Sequence, residues 1–188
     1  SDFYIADNLI IGRDDRFRLV GWGGKPRTPD KISWKEPLYG SHRLVSYYAI
    51  KVYGPGHVIA YNSIAYFHDG IGISTYGTPP SDPHRRASSI DIYGNDIHIC
   101  NDDFIEADGG VHNIRIFNNR GINASMGGLS AQPVFGGPAY YIRNTLYHIP
   151  RSVALKFGGT PAGLFVYHNT IISENQMGGP SANVHFRN

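Results

Sequence analysis

A single cysteine, Cys100, leaves the chain without an internal disulfide or a thiolate zinc site. The fold must therefore be held by burial and hydrogen bonding, and the redox compartment stays open. No apolar run reaches the roughly 18 residues of a membrane-spanning helix, so no membrane partner is expected. No basic-then-apolar leader opens the sequence, which is compatible with a leader already removed. Neither sign of charge dominates. The 17 Lys and Arg against 15 Asp and Glu leave +2, too little for a nucleic-acid groove, and no nucleic-acid partner is expected. Long helical stretches are missing too, because 23 Gly and 12 Pro spread along 188 residues interrupt every candidate helix. That length suits one domain, read here as residues 1–188.

What the sequence does hold is short runs rich in Ile, Val, Tyr and Phe. HVIAYNSIAYF, SIDIYGNDIHI, NIRIFNN and ALKFGG alternate with period two between Gly, Asn and Asp. The class is all-β. Aligning YIADN, VIAYN, DIYGN, RIFNN, YIRNT, VYHNT and HFRN on their asparagines gives Asn8, Asn62, Asn95, Asn119, Asn144, Asn169 and Asn188. The spacings are 54, 33, 24, 25, 25 and 19 residues, which predicts about six to seven coils of a solenoid, the 54 being two coils plus an insertion. Side-chain amides recurring at one corner can bond from coil to coil in a ladder, and asparagine tolerates the left-handed bend a corner needs.

A second strand follows each asparagine by some ten residues: AIKVYG (49–54), GIGIST (70–75), FIEADG (104–109), GLSAQP (128–133) and ALKFGG (154–159). Placing Ile50, Ile71, Ile105, Leu129 and Leu155 inward, with Val52, Ile73, Ala107, Ala131 and Phe157 two residues on, gives two apolar columns. Over roughly residues 46–188 the pattern resembles the right-handed parallel β-helix of the pectin-lyase-like superfamily, whose coils carry such asparagine ladders. The repeat begins at residue 3 and still runs at 188, with no capping element at either end. The expectation is a piece of a longer protein with flanking coils, or self-association end to end.

Residues 12–45 break the period and carry both tryptophans and eight of the 17 Lys and Arg. They read as an insertion or lid on which a sugar ring could stack against Trp22 or Trp34. Residues 76–87 read as a shorter loop between coils.

Strand alternation also assigns the outward face of the second strand: Ala49, Lys51, Tyr53; Gly70, Gly72, Ser74; Phe104, Glu106, Asp108; Gly128, Ser130, Gln132; Ala154, Lys156, Gly158. Glu106 then has Gly72 and Ser130 as lateral neighbours, with Lys156 about 10 Å off. Asp69, Asp102 and Asp103 sit at the corners just before these strands, so Asp69, Asp102, Asp103, Glu106 and Asp108 are the candidate catalytic residues. Carboxylates gathered this way raise one another's pKa and divide into acid and base, or they bind a cation. Ca²⁺ through Asp69, Asp103, Glu106 and Asp108 is the cation considered. His68 and His112 are read as flanking the acidic corner. With Lys51, Lys156, Trp22 and Trp34 they complete the candidate substrate-binding set. Cys100 reads as a small packed residue.

The order HDGIGI, NDDFIEA, MGGLSA, ALKF resembles the segments NTDGI, DDCI, GHG and RIK of polygalacturonase-like members of the superfamily. That resemblance implies catalytic roles for Asp69, Asp102 and Asp103 and a substrate-binding role for Lys156. The family's histidine falls at Met126 or Gly128, and its arginine at Ala154. Tyr76-Gly77 and, four residues on, Asp82-Pro83-His84 resemble more loosely a segment of alginate epimerases. The resemblances together imply an extracellular or periplasmic protein that binds and cleaves an extended, uronate-containing polysaccharide by hydrolysis or elimination. The alternative is a non-catalytic carbohydrate-binding or structural, self-assembling solenoid.

Overall fold

The computed structural model describes residues 2–13, 46–73, 78–124, 127–149, 153–159, 162–172 and 184–187. Among them the chain makes six rounds of three short strands. The first round is β1 (Tyr4–Ala6), β2 (Leu9–Ile11) and β3 (Tyr48–Lys51); the second β4 (Val58–Ala60), β5 (Ser63–Phe67) and β6 (Asp69–Gly72). The third is β7 (Ser88–Tyr93), β8 (Asp96–Cys100) and β9 (Ile105–Glu106); the fourth β10 (His112–Phe117), β11 (Arg120–Ala124) and β12 (Gly127–Val134). The fifth is β13 (Ala139–Ile142), β14 (Thr145–Tyr147) and β15 (Val153–Gly159); the sixth β16 (Leu164–Tyr167), β17 (Thr170–Ile172) and β18 (Val184–Arg187). First strands pair only with first strands, second with second and third with third, always in parallel, giving three six-stranded sheets. One 3₁₀ turn, Pro83–Arg85, is the helical element among the described residues. The chain is all-β, with the strand order a parallel solenoid requires.

Two strands per coil follow from the sequence repeat, whereas three are observed. The segment after each ladder asparagine, such as SIAYF or DIHIC, is a strand in a sheet of its own. The runs that looked like single long strands are bent in the middle, at the asparagine. The 54-residue interval holds one round rather than two, because β2 and β3 flank the insertion within the same round. Residues 14–45, including Trp22 and Trp34, lie outside the described residues, as do Tyr76 and Gly77.

Burial follows the β-branched residues. In the third sheet Ile50, Ile71, Ile105, Leu129 and Leu155 stack in register and are buried, as are Val52, Ile73, Ala107, Ala131 and Phe157. Ile59, Ile92 and Ile116 do the same in the first sheet, and Ile64 and Ile97 in the second. Each such side chain contributes about 1.5–3 kcal/mol by leaving water. Cys100 packs in this core, and burial pushes its thiol pKa well up, which removes it as a nucleophile.

The asparagines form a continuous ladder at the corner between first and second sheets. The Nδ2 of Asn8, Asn62, Asn95, Asn119 and Asn144 each donates to the Oδ1 of the next asparagine at 2.9–3.1 Å, ending at Asn169. Asn188, expected as a seventh rung, lies outside the described residues; β18, just before it, pairs with β15 in the third sheet. The left-handed bend falls on the residue before each rung. Asp7, Tyr61, Gly94, Asn118, Arg143 and His168 have φ between 54° and 65°. The ladder amides thus serve hydrogen bonding alone, and their neighbours carry a strain of about 1–2 kcal/mol wherever a side chain is present. Arg143→Gly, at an exposed corner, is therefore expected to stabilise the protein by about 0.5–1 kcal/mol, read as a higher urea midpoint at unchanged m-value.

Candidate functional site

The chain turns into the third sheet by setting two consecutive residues against the core. Ala49–Ile50, Phe104–Ile105 and Ala154–Leu155 all pack inward, and a side chain at Gly70 or Gly128 would point at Ile97 or at Leu146 and Ile149. Phe104 is accordingly buried, not outward as strict alternation predicts. The outward positions on either side of this double step are three residues apart: Tyr48 and Lys51, Asp69 and Gly72, Asp103 and Glu106, Gly127 and Ser130. Register pairs Tyr48 with Asp69, then Lys51, Gly72, Glu106, Ser130 and Lys156 across the sheet. The acidic corner and the acidic strand position therefore share one face.

On that face two lysines lean toward the central strand β9 from two strands away on either side. Lys156 Nζ lies 2.9 Å from Asp103 Oδ1 and 3.2 Å from Asp102 Oδ1. It reaches them over β12 because position 127 has no side chain. A Cβ there would overlap Asp103 Oδ1 and stand 2.5 Å from Lys156 Cε. Lys51 Nζ lies 3.7 Å from Glu106 Oε2, with Gly72 opening the way; a Cβ at 72 would come within 2.8 Å of both Lys51 Nζ and Tyr48 Cε1. Tyr48 donates its hydroxyl to the same Glu106 oxygen, and Lys51 Nζ stands 4.2 Å from the Tyr48 ring centroid. Asp108 accepts from Ser130 Oγ at 2.9 Å and from the Gln132 amide at 2.6 Å. Gly127→Ala is expected to cost about 1–3 kcal/mol, visible in thermal denaturation, because the Lys156 clamp must move aside.

The carboxyl groups are not equally wet. Asp69 and Asp103 are each about 3% exposed, whereas the side chains of Asp102 and Glu106 are 22% and 20% exposed and form the solvent side of the cluster. Burial, with Glu106, Asp102 and Asp103 adding repulsion, pushes the Asp69 carboxyl up to about 9, against the Asp103 amide that donates to it at 3.3 Å. Burial likewise lifts Asp108 to about 6, opposed by its bonds from Gln132 and Ser130. It raises Asp103 as well, with Lys156 opposing. Burial would lower Lys156, but the neighbouring Asp103 and Asp102 outweigh it and hold the ammonium charged. Lys51 is lowered by burial, with Glu106 opposing. Burial and the bond to Glu106 push the Tyr48 hydroxyl up, so it stays a donor.

The structure thus brings together Asp69, Asp102, Asp103, Glu106, Asp108, Lys51 and Lys156. His68 is buried beside Asp69 and Asp102, its ring 4.8 Å from that of Tyr47. His112 is not part of the group; it opens β10 in the first sheet and is exposed. Trp22 and Trp34 lie outside the described residues. Tyr47 and Tyr48 are additions that the sequence reading missed. A signal existed in the doublet before AIK, but strict alternation carried the outward set back to Ala49 instead of Tyr48. Among the described residues, the ligand atoms close enough to share an ion belong to His68, Asp69 and Asp102, within 4.8 Å of one another, rather than to the four carboxylates considered for Ca²⁺. Lys156 Nζ stands 3.2 Å from Asp102 Oδ1, so a cation taking that oxygen would compete with the ammonium.

The chain matches no family model, no curated protein and no solved structure.

Proposed function

We propose that this face of the third sheet cleaves an extended, uronate-containing polysaccharide, and that the three sheets form a right-handed parallel β-helix of the pectin-lyase-like kind. The handedness follows from the rule for parallel strands joined by crossovers, which are right-handed almost without exception. One observation carries the functional reading: a carboxyl group kept protonated near neutrality, Asp69, stands beside Asp102, a carboxylate that Lys156 holds in place. A carboxylic acid beside a lysine-paired carboxyl group is the arrangement of a glycoside-cleaving pair. In hydrolysis Asp69 gives its proton to the leaving glycosidic oxygen. With an oxygen of each within 4.8 Å, nearer the spacing of a retaining pair than of an inverting one, Asp102 bonds to the anomeric carbon as the old carbon–oxygen bond breaks, and water, giving its proton back to Asp69, then displaces Asp102. Lys156, paired with two carboxylates, acts here as their clamp rather than as the sugar-binding lysine that the polygalacturonase resemblance implies.

Elimination needs an unprotonated amine; Lys156 is held charged, so that route would rest on Lys51, whose ammonium burial disfavours. The substrate places the protein outside the cytoplasm, in the extracellular space or periplasm. A non-catalytic carbohydrate-binding or structural role is the competing reading. Incubation with a panel of acidic and neutral polysaccharides, followed for reducing ends and for the ultraviolet absorbance of unsaturated uronates, separates the three. Reducing ends without that absorbance are expected; absorbance would favour elimination, and silence in both would favour the non-catalytic role.

A further inference from the structure

Lys51 differs from Lys156 in its company. Both side chains are 17% exposed, so both have given up most of their water. Lys156 recovers the loss from two carboxylates at 2.9 and 3.2 Å. Among the described residues Lys51 has one within 4 Å, at 3.7 Å, and that oxygen also accepts from the Tyr48 hydroxyl. A buried ammonium with so little compensation is costly to hold and gains from any anion that reaches it. Asp69 and Asp108 act on it from farther off, and rings pack beside it. Its Nζ lies 4.2 Å from the Tyr48 centroid and 5.9 Å from that of Tyr53, which is 61% exposed, and Tyr47 packs against Tyr48 at 4.7 Å. β3 also stands at the edge of the third sheet as described, with β6 on one side only. A cation beside an open ring at the end of a row of carboxylates has the chemistry to hold an acidic sugar, with the carboxylate on the ammonium and the sugar's C–H face on the ring.

We propose that Lys51 and Tyr53, on the floor formed by Tyr48, make a subsite that selects an acidic sugar residue of the polymer next to the reacting carboxylates. The proposal rests on the reading of this face as a polysaccharide site and adds which residue reads the substrate's charge. Glu106 marks the edge of the subsite, and the incoming carboxylate takes the open side of Lys51 that Glu106 does not reach.

The test measures binding of polygalacturonate and alginate, each beside its carboxyl-reduced form, to the wild-type chain, Lys51→Gln and Tyr53→Ala, with thermal denaturation confirming that each variant folds. Lys51→Gln is expected to weaken binding of the acidic polymers about tenfold and leave the reduced forms unchanged, while Tyr53→Ala weakens both. The subsite is overturned if Lys51→Gln binds the acidic polymers as the wild type does, or loses acidic and reduced forms alike. It is overturned equally if the wild type binds neither acidic polymer. In that case, reducing ends released from a neutral polysaccharide would leave cleavage at this face standing without its uronate substrate, and their absence from every polymer would remove both. Should Lys51→Gln fail to fold, Tyr53→Phe and Tyr53→Ala decide: a loss of binding in Ala alone supports the ring's role, and no loss in either overturns it.

Discussion

Asn119→Ala is expected to destabilise the protein by about 3–5 kcal/mol. The side chain sits mid-ladder and buried. Its Oδ1 accepts from both the backbone N–H and the Nδ2 of Asn95, at 3.0 and 2.9 Å, and its Nδ2 donates to Ile92 O and to Asn144 Oδ1, at 2.9 and 3.1 Å. Alanine breaks all four bonds and brings in no water, so the partners stay buried and unsatisfied. For a chain of this length that loss lowers Tm by about 10 °C. Asn8→Ala is the control: this rung is exposed, and the buried Asn62 Oδ1 keeps the Asn8 backbone N–H at 3.2 Å, so less than about 1 kcal/mol is expected. Equal effects at the two positions would show that the amides do not act as a ladder.

Asp69→Asn should lower turnover on the polysaccharide by about 10²–10⁴ and yet make the protein more stable at pH 8. The amide has the carboxylic acid's shape and cannot give up a proton to the leaving oxygen. The stability gain follows from linkage. The folded state holds the Asp69 proton up to about pH 9, whereas the unfolded chain releases it near an ordinary carboxyl pKa of about 4, so the native state binds more protons between these values. The stability tied to this group is therefore complete below about pH 4 and is lost as pH rises through about 9. Asparagine has no proton to lose. The Tm difference between variant and wild type should be small at pH 4 and grow in the variant's favour toward pH 9. A variant less stable at pH 8 would mean that Asp69 is ionised in the fold and anchored by its charge.

The inward columns of the third sheet could be read from the sequence because the core demands one thing of each position, an apolar side chain of the right parity, and Ile50, Ile71, Ile105, Leu129 and Leu155 say so directly. The ladder was legible for a similar reason: only asparagine supplies acceptor and donor along the axis at once, so it recurs. The corners were less legible. Arg143 and Tyr61 adopt the left-handed conformation with nothing in their side chains to announce it, because the amides next to them hold the bend. The double inward step at Phe104–Ile105 shifts the outward parity by one, which placed Phe104 wrongly and hid Tyr48. Within the site, the gathering of carboxyl groups followed from the repeat, but their burial did not. Nothing in NDDFIEA says that Asp103 lies beneath Asp102, or that Lys156 reaches them because position 127 is glycine.

Cleavage of the proposed kind needs a carboxylic acid that stays protonated at neutral pH, and carbon-detected NMR of the side-chain carboxyls of the folded protein across pH tests this directly. One aspartate carboxyl is expected to titrate near pH 9 and to be missing from the spectrum of Asp69→Asn, and another to titrate near pH 6 and to be missing from Asp108→Asn. Every aspartate carboxyl titrating near pH 4 would contradict this, and the face would then be an ordinary charged surface with no acid to give.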